Sequence, residues 1–458
     1  MCWVENMSCL ERLASFCGEQ RSSPLPQDIL EEAKIAFLDY IASLLWGTRH
    51  GVLGLLKSYA AGRAAGTCRL PGFPNGLRAE DAAFVAGVLS HCMEIDDVHL
   101  GTTGFHPGVT IISAALAVGQ ELRSSGTDVL NAVALGYEVA GRIGKSMTPQ
   151  LRYRGFHATG VIGVFGAACA SALLMGLDAA GIRNAMSLAS AQAGGTFAFL
   201  SGGGTDVKYL HAGNAARSGV ESSRLAGEGF QGPRNLLESE DGFAQAYAGS
   251  FDPDLITAGL GDTYEIRNLL RKRYFICGHI FSAIDAIGQF PPAKRHPQDI
   301  ESIEVLAYKA ASVLDRKRPA NFAEAKFSIP YCLASFLLHG EVVDAYGNSA
   351  RLQAIFNLAD RVHVEEDPGM TAAFPKKRIT SVTIRRSDGT ALRETVEDPV
   401  GTPQNPVDFS TLRGKYDGIA EAVFGRQAAQ RIFQALGEFE RIGDVAEFVQ
   451  ELTNAYKG

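Results

Sequence analysis

The chain has 458 residues, more than one ordinary hydrophobic core takes up, so roughly two or three domains are expected. Apolar residues make up 46% and charged residues 20%, which excludes a largely disordered chain. With 43 basic and 50 acidic residues the net charge is −7, so no overall positive field attracts nucleic acid or an anionic membrane. A small anionic substrate would need a local basic pocket.

The eight cysteines show no C-x-x-C spacing, which excludes a zinc ribbon or a thioredoxin-type motif. A chain this long needs no disulfides for stability, and its first residues lack a long apolar run. These features predict a reducing, cytoplasmic setting without a membrane anchor. The uncharged segment 158–177 is about long enough to span a bilayer. Because Gly160, Gly163 and Gly166 form a stripe that permits close backbone contact, we interpret it as a buried central helix.

The first half of the chain is predicted to be helical, because apolar residues recur at helical spacing in one segment after another. These helices are expected at residues 27–46, 80–94, 110–122, 129–147, 158–177 and 179–193. No strand-like alternation precedes about residue 300.

The pattern changes in the second half. Alternating apolar residues predict strands at 301–309, 361–365, 379–385 and 391–396, and the turn residues 387–390 join the last two in a hairpin. Residues 408–457 return to a helical pattern. The sequence therefore predicts a mainly α fold. A large all-helical domain is formed by 1–268 and the helical tail 401–458, and a smaller α/β lid domain is inserted at 269–400.

The densest group of chemically active residues lies between two predicted helices. Glu94, Asp96, Asp97, His99 and His106 share one short segment, which suits an acid–base site or a metal site. The alternative is a polar loop whose carboxylates cap helices. Neither H-x-x-x-H nor EF-hand spacing is present, which argues against a metal.

Further candidates follow along the chain. His157 is expected at a helix N-terminus, where backbone N–H groups attract anions and lower the pKa of a histidine. Lys208 follows the glycine-rich segment 201–204, which would present backbone donors and a cation to an anionic ligand. Lys272 lies in a triplet of basic residues, and such triplets are usually a solvated face. Tyr331 could be a hydrogen-bond donor or a core aromatic.

Taken together and in this order, these segments resemble the MmgE/PrpD family over nearly the whole chain. Each motif is weak by itself, but six in the family's order are specific. The resemblance rests on the segments Ala36–Ala42, Glu94–Gly108, Gly136–Ala140, Arg154–Gly160, Lys208–Ala216 and Phe327–Tyr331.

The resemblance implies a helical main domain, a smaller lid-like domain, a homodimer, and neither a metal nor an organic cofactor. Site residues can be carried over motif by motif. The catalytic positions are then His106, His157, Lys208, Asp97 and Tyr331, and the substrate-binding positions are Glu94, Asp96 and Lys272, with His99 added from the same acidic segment.

The family's reactions remove a proton or a carboxylate from a carbon next to a carboxylate, so carbanion charge develops and must be stabilised. The two lysines would hold substrate carboxylates together with the glycine-rich backbone. His106 and His157 would exchange the proton. Asp96 or Asp97 would orient a histidine, and Tyr331 would donate a hydrogen bond.

The resemblance thus implies a cofactor-independent acid–base enzyme acting on a small di- or tricarboxylate. Members epimerise iminodisuccinate, dehydrate 2-methylcitrate or decarboxylate cis-aconitate, and residue types do not choose among these reactions. Glu94 and Val98 depart from the acidic pattern usual in the dehydratases and decarboxylases. We therefore expect epimerisation of an iminodisuccinate-like amino dicarboxylate, with a lyase of the same family as the alternative. A non-catalytic binding member and a metal-dependent hydrolase are the more distant alternatives.

Overall fold

The computed structural model describes residues 7–457 except residues 22, 24, 201–205 and 408. The chain divides into two compact units. The larger comprises Met1–Ala198, Asp206–Leu269 and Phe409–Gly458, and the smaller comprises Phe199–Thr205 and Leu270–Asp408.

Helices form most of the larger unit, interrupted by three short strands. In chain order up to the smaller unit, the elements are α1 (Cys9–Arg21), α2 (Gln27–Gly47), α3 (Val52–Ala61), β1 (Ala65–Cys68), α4 (Ala79–His91), β2 (Val98–His99), α5 (Gly108–Leu122), α6 (Gly126–Ser146), α7 (Gln150–Tyr153), α8 (Ala158–Leu174), α9 (Ala179–Ala189), α10 (Asp206–Gly227), α11 (Phe243–Ala248), α12 (Asp254–Thr257) and the two-residue β3 (Leu269–Leu270).

Helix α8 is the centre of the larger unit. Its residues are buried from Ala158 to Leu173, and α5, α6 and α10 pack against it. A Cβ added to Gly166 would lie 2.7 Å from the carbonyl oxygen of Gly136, so the glycine permits α6 and α8 to approach closely. The segment that could have mimicked a membrane span is therefore a core helix. Within the part of the chain that the structure describes, no helix combines the length and apolar character needed to cross a bilayer.

Side-chain caps fix where several helices begin. Ser125 accepts a hydrogen bond from the backbone N–H of Asp128 at the start of α6, and Asp178 accepts one from Gly181 at the start of α9. Such a cap satisfies a donor that the first helical turn leaves without an intrahelical partner.

Helix α4 ends earlier than the sequence predicts. The predicted helix runs to residue 94, but α4 stops at His91 and Glu94 adopts a left-handed backbone conformation with φ of 61°. A non-glycine residue with this φ cannot continue a right-handed helix. The acidic segment therefore starts in a turn, which leaves His91 at the helix end.

The smaller unit combines one sheet with short helices. Its elements are α13 (Phe281–Gln289), β4 (Ile300–Ala307), α14 (Lys309–Ser312), α15 (Phe322–Ala325), α16 (Ile329–His339), α17 (Ser349–Ala359), β5 (Val362–Glu366), α18 (Pro368–Ala373), β6 (Thr380–Arg386) and β7 (Ala391–Val396).

The four strands of this sheet lie in the order β5-β4-β6-β7. Strand β4 pairs with β5 in parallel and with β6 antiparallel, so that Val305 lies between Val364 and Val382. Apolar side chains of β4 are buried at alternate positions, as its sequence pattern predicts. The predicted hairpin of β6 and β7 is confirmed, and Gly389 takes the positive φ of 82° that its turn needs.

The last helices return to the larger unit. They are α19 (Phe409–Phe424), α20 (Arg426–Gly437) and α21 (Val445–Ala455). Helix α19 packs against α2, and α21 packs against α5. The predicted fold class, mainly α with a smaller α/β part, is confirmed.

Candidate active site

Three histidine rings lie together inside the larger unit. The ring centroids of His91 and His106 are 4.7 Å apart. The centroid of His157 lies 5.9 Å from that of His91 and 6.3 Å from that of His106. All three side chains are buried. Because buried titratable groups are costly and cluster at functional sites, this histidine cluster marks the candidate active site.

Helix ends bring the three rings together. His91 is the last residue of α4, and His106 directly precedes Pro107, the N-cap residue of α5. His157 is the N-cap residue of α8. Because α5 packs against both α4 and α8, these ends meet although they are far apart in the sequence.

One carboxylate lies against two of the rings. Asp96 Oδ2 lies 2.8 Å from His91 Nδ1 and 2.7 Å from His106 Nδ1. An acceptor beside Nδ1 favours the tautomer in which that nitrogen carries the proton. The hydrogen bond from His91 Nδ1 to Asp96 therefore leaves the Nε2 lone pair of His91 pointing away from the carboxylate.

Lys208 reaches the cluster from α10. Its ammonium nitrogen lies 3.0 Å from His91 Nε2 and donates to the carboxylate of Glu94. Lys208 is only 1% exposed. Burial, followed by the Lys208 charge, lowers the pKa of His91 to about 3, so this ring is neutral near pH 7. The result is a buried cation beside a neutral imidazole, a setting that suits an anionic ligand.

A fourth histidine extends the cluster from α10. His211 Nδ1 lies 2.9 Å from His157 Nδ1, so one ring donates its N–H to the other. On its other edge, His157 Nε2 lies 3.2 Å from Thr159 Oγ1, which is also 3.3 Å from the carbonyl oxygen of Gly104. The Thr159 hydroxyl can donate to either acceptor, and each choice corresponds to a different tautomer of His157.

Burial keeps these two histidines neutral. It lowers the pKa of His157 well below its ordinary value, with the neighbouring His211 charge as the next contribution. Burial, followed by the Lys208 charge, lowers the pKa of His211 to about 4. His211 is 8% exposed against 1% for His157, so it is the more accessible end of the pair.

Asp97 holds the start of α5. Its Oδ1 accepts a hydrogen bond of 3.1 Å from the backbone N–H of Gly108, and its Oδ2 accepts one of 2.8 Å from the Tyr137 hydroxyl. Burial, followed by the charge of Asp39, raises the pKa of Asp97 to about 7. This geometry supports a positioning role for Asp97 at the helix that carries His106.

His99 belongs to a different set of contacts. Its Nε2 lies 3.0 Å from Glu265 Oε2, and Lys145 Nζ lies 2.6 Å from the other oxygen of Glu265. Burial would raise the pKa of Glu265, but His99 and Lys145 outweigh burial and hold it at about 2. Glu265 therefore stays ionised and ties His99 and α6 together.

Lys272 and Tyr331 are placed in the smaller unit. Lys272 is buried at 1% exposure. Tyr331 lies in the first turn of α16, and its hydroxyl donates a hydrogen bond of 2.8 Å to the carbonyl oxygen of Val343. Burial raises the pKa of Tyr331 to about 12, so the hydroxyl keeps its proton at neutral pH. The glycine-rich segment expected to help Lys208 falls on residues 201–205, which lie outside the described residues.

Sequence alone assigns no role to His91 or His211. His91 ends an apolar helix, and its position three residues before Glu94 was its only local signal. His211 stands three residues after Lys208 on one helix, so the two share a face of α10. That spacing could have indicated His211.

The nitrogens of His91, His106 and His157 are close enough to hold a metal ion, since one from each lies within 4.8 Å of the others. However, both nitrogens of His91 already face partners, Asp96 and Lys208. The Lys208 ammonium would repel a cation bound at the same rings. A metal ion at these rings would therefore have to displace Lys208 from His91.

Comparisons with known proteins identify the family of the chain. Models of the MmgE/PrpD N-terminal domain and the MmgE/PrpD C-terminal domain match residues 11–256 and 274–438. The chain is 25% identical to a cis-aconitate decarboxylase of Aspergillus terreus, covering 96% of this chain and 95% of that protein. It is 27% identical to the cis-aconitate decarboxylase of Mus musculus, covering 98% and 94%. Because both family models match in order along most of its length, the chain belongs to the MmgE/PrpD family.

Proposed function

We propose that this protein is a lyase that decarboxylates cis-aconitate or a closely similar unsaturated tricarboxylate. The buried Lys208 ammonium beside neutral, oriented histidines carries the proposal. This pairing can bind a carboxylate and deliver a proton to carbon in one site that excludes water. The names of the relatives favour a lyase over the epimerase expected from Glu94 and Val98.

The reaction has simple requirements. The bond between carbon and one carboxylate breaks, and carbon dioxide leaves. The electron pair of that bond shifts into the neighbouring double bond and forms a carbanion delocalised towards another carboxylate. A proton then adds to the far carbon, which gives a dicarboxylate with a shifted double bond. One proton is consumed for each carbon dioxide released, and cations and hydrogen-bond donors are enough to stabilise the charge.

Lys208 is the group proposed to meet that charge. Its ammonium is held between Glu94 and His91, so it needs no reorganisation when the carbanion forms. Lys272 is proposed to bind a second carboxylate and Tyr331 to donate a hydrogen bond. These two roles rest on the family resemblance.

The histidines are proposed to supply the proton. His157 would act as the acid, and His211 would return a proton to it through the Nδ1–Nδ1 contact, because His211 is the more accessible ring. His106 would act on the other side of the substrate, with Asp96 holding its tautomer. Asp97 and His99 would keep the surrounding helices in place rather than touch the substrate.

Proton NMR in D₂O tests the reaction class. The purified full chain is incubated separately with cis-aconitate, 2-methylcitrate, citrate and iminodisuccinate stereoisomers. The proposal expects cis-aconitate to give carbon dioxide and a new alkene with one deuterium on the carbon that receives the proton. A chelator added beforehand should leave the rate unchanged, because no step passes through a metal.

Other outcomes reassign the reaction. Deuterium at the α-carbon of iminodisuccinate with stereoisomer conversion would make the protein an epimerase. Alkene formation from 2-methylcitrate without carbon dioxide would make it a dehydratase. No exchange with any substrate would contradict enzymatic activity of this kind and favour a binding protein. His296→Ala, at an exposed position of the smaller unit, serves as the matched control for histidine variants.

A further inference from the structure

An arginine of the smaller unit is buried without a balancing charge. Arg378 precedes strand β6 and is 2% exposed. Its backbone is fixed, since its N–H donates to the carbonyl oxygen of Glu397 and its carbonyl accepts from the Ser282 hydroxyl. Its side chain is therefore held inside the unit, where an uncompensated charge is unfavourable.

Of the three guanidinium nitrogens of Arg378, only Nη1 has a hydrogen-bond partner among the described residues. Arg378 Nη1 lies 3.3 Å from His279 Nδ1, and the Tyr308 hydroxyl lies 2.8 Å from the same nitrogen and donates to it. Arg378 Nε and Nη2 are buried and have no hydrogen-bond partner. Since arginine can only donate, His279 Nδ1 is the acceptor in its contact with Arg378 and provides no negative charge.

Another buried arginine shows how such a charge is normally satisfied. Arg142 in α6 is 1% exposed and forms an ion pair with Glu138 four residues earlier. Its remaining donors bind the backbone carbonyls of Ile256, Ala258, Gly259 and Thr263. Among the residues that the structure describes, no carboxylate lies within ion-pair distance of Arg378. Within these same residues, no backbone carbonyl accepts a hydrogen bond from its Nε or Nη2 either.

The geometry of the two nitrogens without hydrogen-bond partners indicates which chemical group could bind them. Nε and Nη2 form one edge of the planar guanidinium, and their N–H groups point in parallel. This edge is the fork that binds two oxygens of a carboxylate or phosphate at once. A water molecule could accept one of these hydrogen bonds, but it could not balance the charge.

Neighbouring aromatic rings restrict the site further. The Phe374 ring stacks on the Tyr308 ring at a centroid distance of 4.5 Å. The Arg378 guanidinium carbon lies 5.5 Å from the Phe374 centroid. Apolar walls of this kind strengthen a charged hydrogen bond by excluding water.

From these observations we infer that Arg378 is the anchor of an oxyanion-binding site in the smaller unit, with His279 and Tyr308 fixing the guanidinium. The site takes a carboxylate or phosphate group that occupies the edge formed by Nε and Nη2. This inference concerns binding and does not depend on the decarboxylation proposed for the larger unit.

Thermal unfolding of the full chain tests the site without turnover. Unfolding midpoints are measured in an anion-poor buffer during titration with tricarballylate, an unreactive saturated tricarboxylate, and separately with phosphate and chloride. A ligand that binds only the folded state raises the midpoint in a concentration-dependent way, which gives its dissociation constant. Stabilisation by tricarballylate that is weakened in Arg378→Met would assign the site to carboxylates, and stabilisation by phosphate alone that is weakened in this variant would assign it to phosphate.

The variant Arg378→Met distinguishes a role of Arg378 in anion binding from a role in stabilising the fold. It should weaken binding of the stabilising anion by about tenfold to a hundredfold. In the anion-poor buffer its midpoint should equal or exceed that of the native chain, because an uncompensated buried charge has been removed. Arg385→Met removes an exposed arginine paired with Glu304 on the same sheet and controls for the loss of one charge.

Two results would overturn the inference. One is an unchanged dissociation constant in Arg378→Met. The other is a large fall in its midpoint in the anion-poor buffer, which would mean that Arg378 is structural like Arg142. If Arg378→Met does not fold, Arg378→Lys decides the question, since lysine keeps the charge but cannot form the fork. Native affinity in Arg378→Lys would then contradict the site.

Discussion

The chemistry of the histidine cluster depends on which nitrogen of each ring carries the proton. Asp96 fixes this for His91 by accepting at Nδ1, and the same carboxylate lies 2.7 Å from His106 Nδ1. His157 and His211 instead face each other through Nδ1, so the proton between them can belong to either ring. A ring that can switch tautomer without moving suits a group that must give up a proton and regain it.

His157 and His211 should therefore differ in how their loss affects turnover. His157→Ala should lower kcat by about 10²- to 10⁴-fold, as expected for removal of a general acid. His211→Leu should also lower kcat and shift its pH dependence, with little change in KM. His211→Asn should recover part of the rate, because an amide can still hydrogen bond to His157 Nδ1.

Steady-state kinetics over a range of pH measures these effects. His363→Ala is the control, because His363 is exposed on β5. If the His157→Ala variant kept the kcat of the native chain, His157 would be excluded as the general acid. An identical loss in the leucine and asparagine variants of position 211, without a change in the pH profile, would reduce His211 to a packing role.

At the scale of elements, the site exists because helices approach unusually closely. Gly166 of α8 faces Gly136 of α6, and an added Cβ would meet the Gly136 oxygen and the Ile111 side chain at 2.7 Å. If α8 lay further from α5 and α6, His157 at the start of α8 would lie further from His106, which precedes α5. The small residues in this stripe thus fix distances within the site.

Gly166→Ala should therefore destabilise the protein, although alanine is the better helix former. Overpacking costs about 1–3 kcal/mol, which exceeds the gain of about 1 kcal/mol from helix propensity. Gly414→Ala in α19 is the matched control, because nothing lies within 4 Å of a Cβ there. Urea unfolding should show a lower midpoint for Gly166→Ala and an equal or higher one for Gly414→Ala. A stabilised Gly166→Ala variant would contradict the close packing of α6 and α8.

At the scale of the whole molecule, an acidic chain buries a lysine in each of its two units. The net charge is −7, yet Lys208 and Lys272 are each 1% exposed. Selection of a small anion is therefore expected to come from these local charges and not from the overall field. The homodimer that the family resemblance implies stays a prediction, which light scattering can test against the chain mass of 48.9 kDa.

The buried acids and bases also make stability depend on pH. The pKa of Asp97 is raised from 3.8 to about 7 in the folded chain, chiefly by burial. Between these pH values the folded chain holds a proton that the unfolded chain releases, so the Asp97 contribution to stability falls as pH rises. His91 acts in the opposite direction, because its pKa is lowered from 6.5 to about 3.

The variant Asp97→Asn isolates the contribution of Asp97 to the pH dependence of stability. Compared with the native chain, the variant should gain free energy of unfolding as pH rises from about 4 to about 7, and the difference should then stay constant. Urea unfolding at several pH values measures it. Tyr137→Phe removes a hydrogen bond that lowers the pKa of Asp97, so its pH window should extend higher. A difference that is independent of pH would show that Asp97 titrates normally.

The sequence by itself determined the mainly α fold, the hairpin of β6 and β7, and the segments that carry His106, His157 and Lys208. These features follow from periodicity, turn residues and motifs, which are local in the chain. The end of α4 could not be predicted, because the left-handed turn at Glu94 is accompanied by its ion pair with Lys208, far away in the sequence.

Only the tertiary structure decided which residues meet. His91 and His211 join the cluster because α4, α5, α8 and α10 pack around shared small residues, and no local pattern encodes that packing. The same applies to His99, which shares a segment with His106 but pairs with Glu265. Spacing along the chain limits which side chains can share a loop, whereas the distances between side chains depend on how distant helices pack.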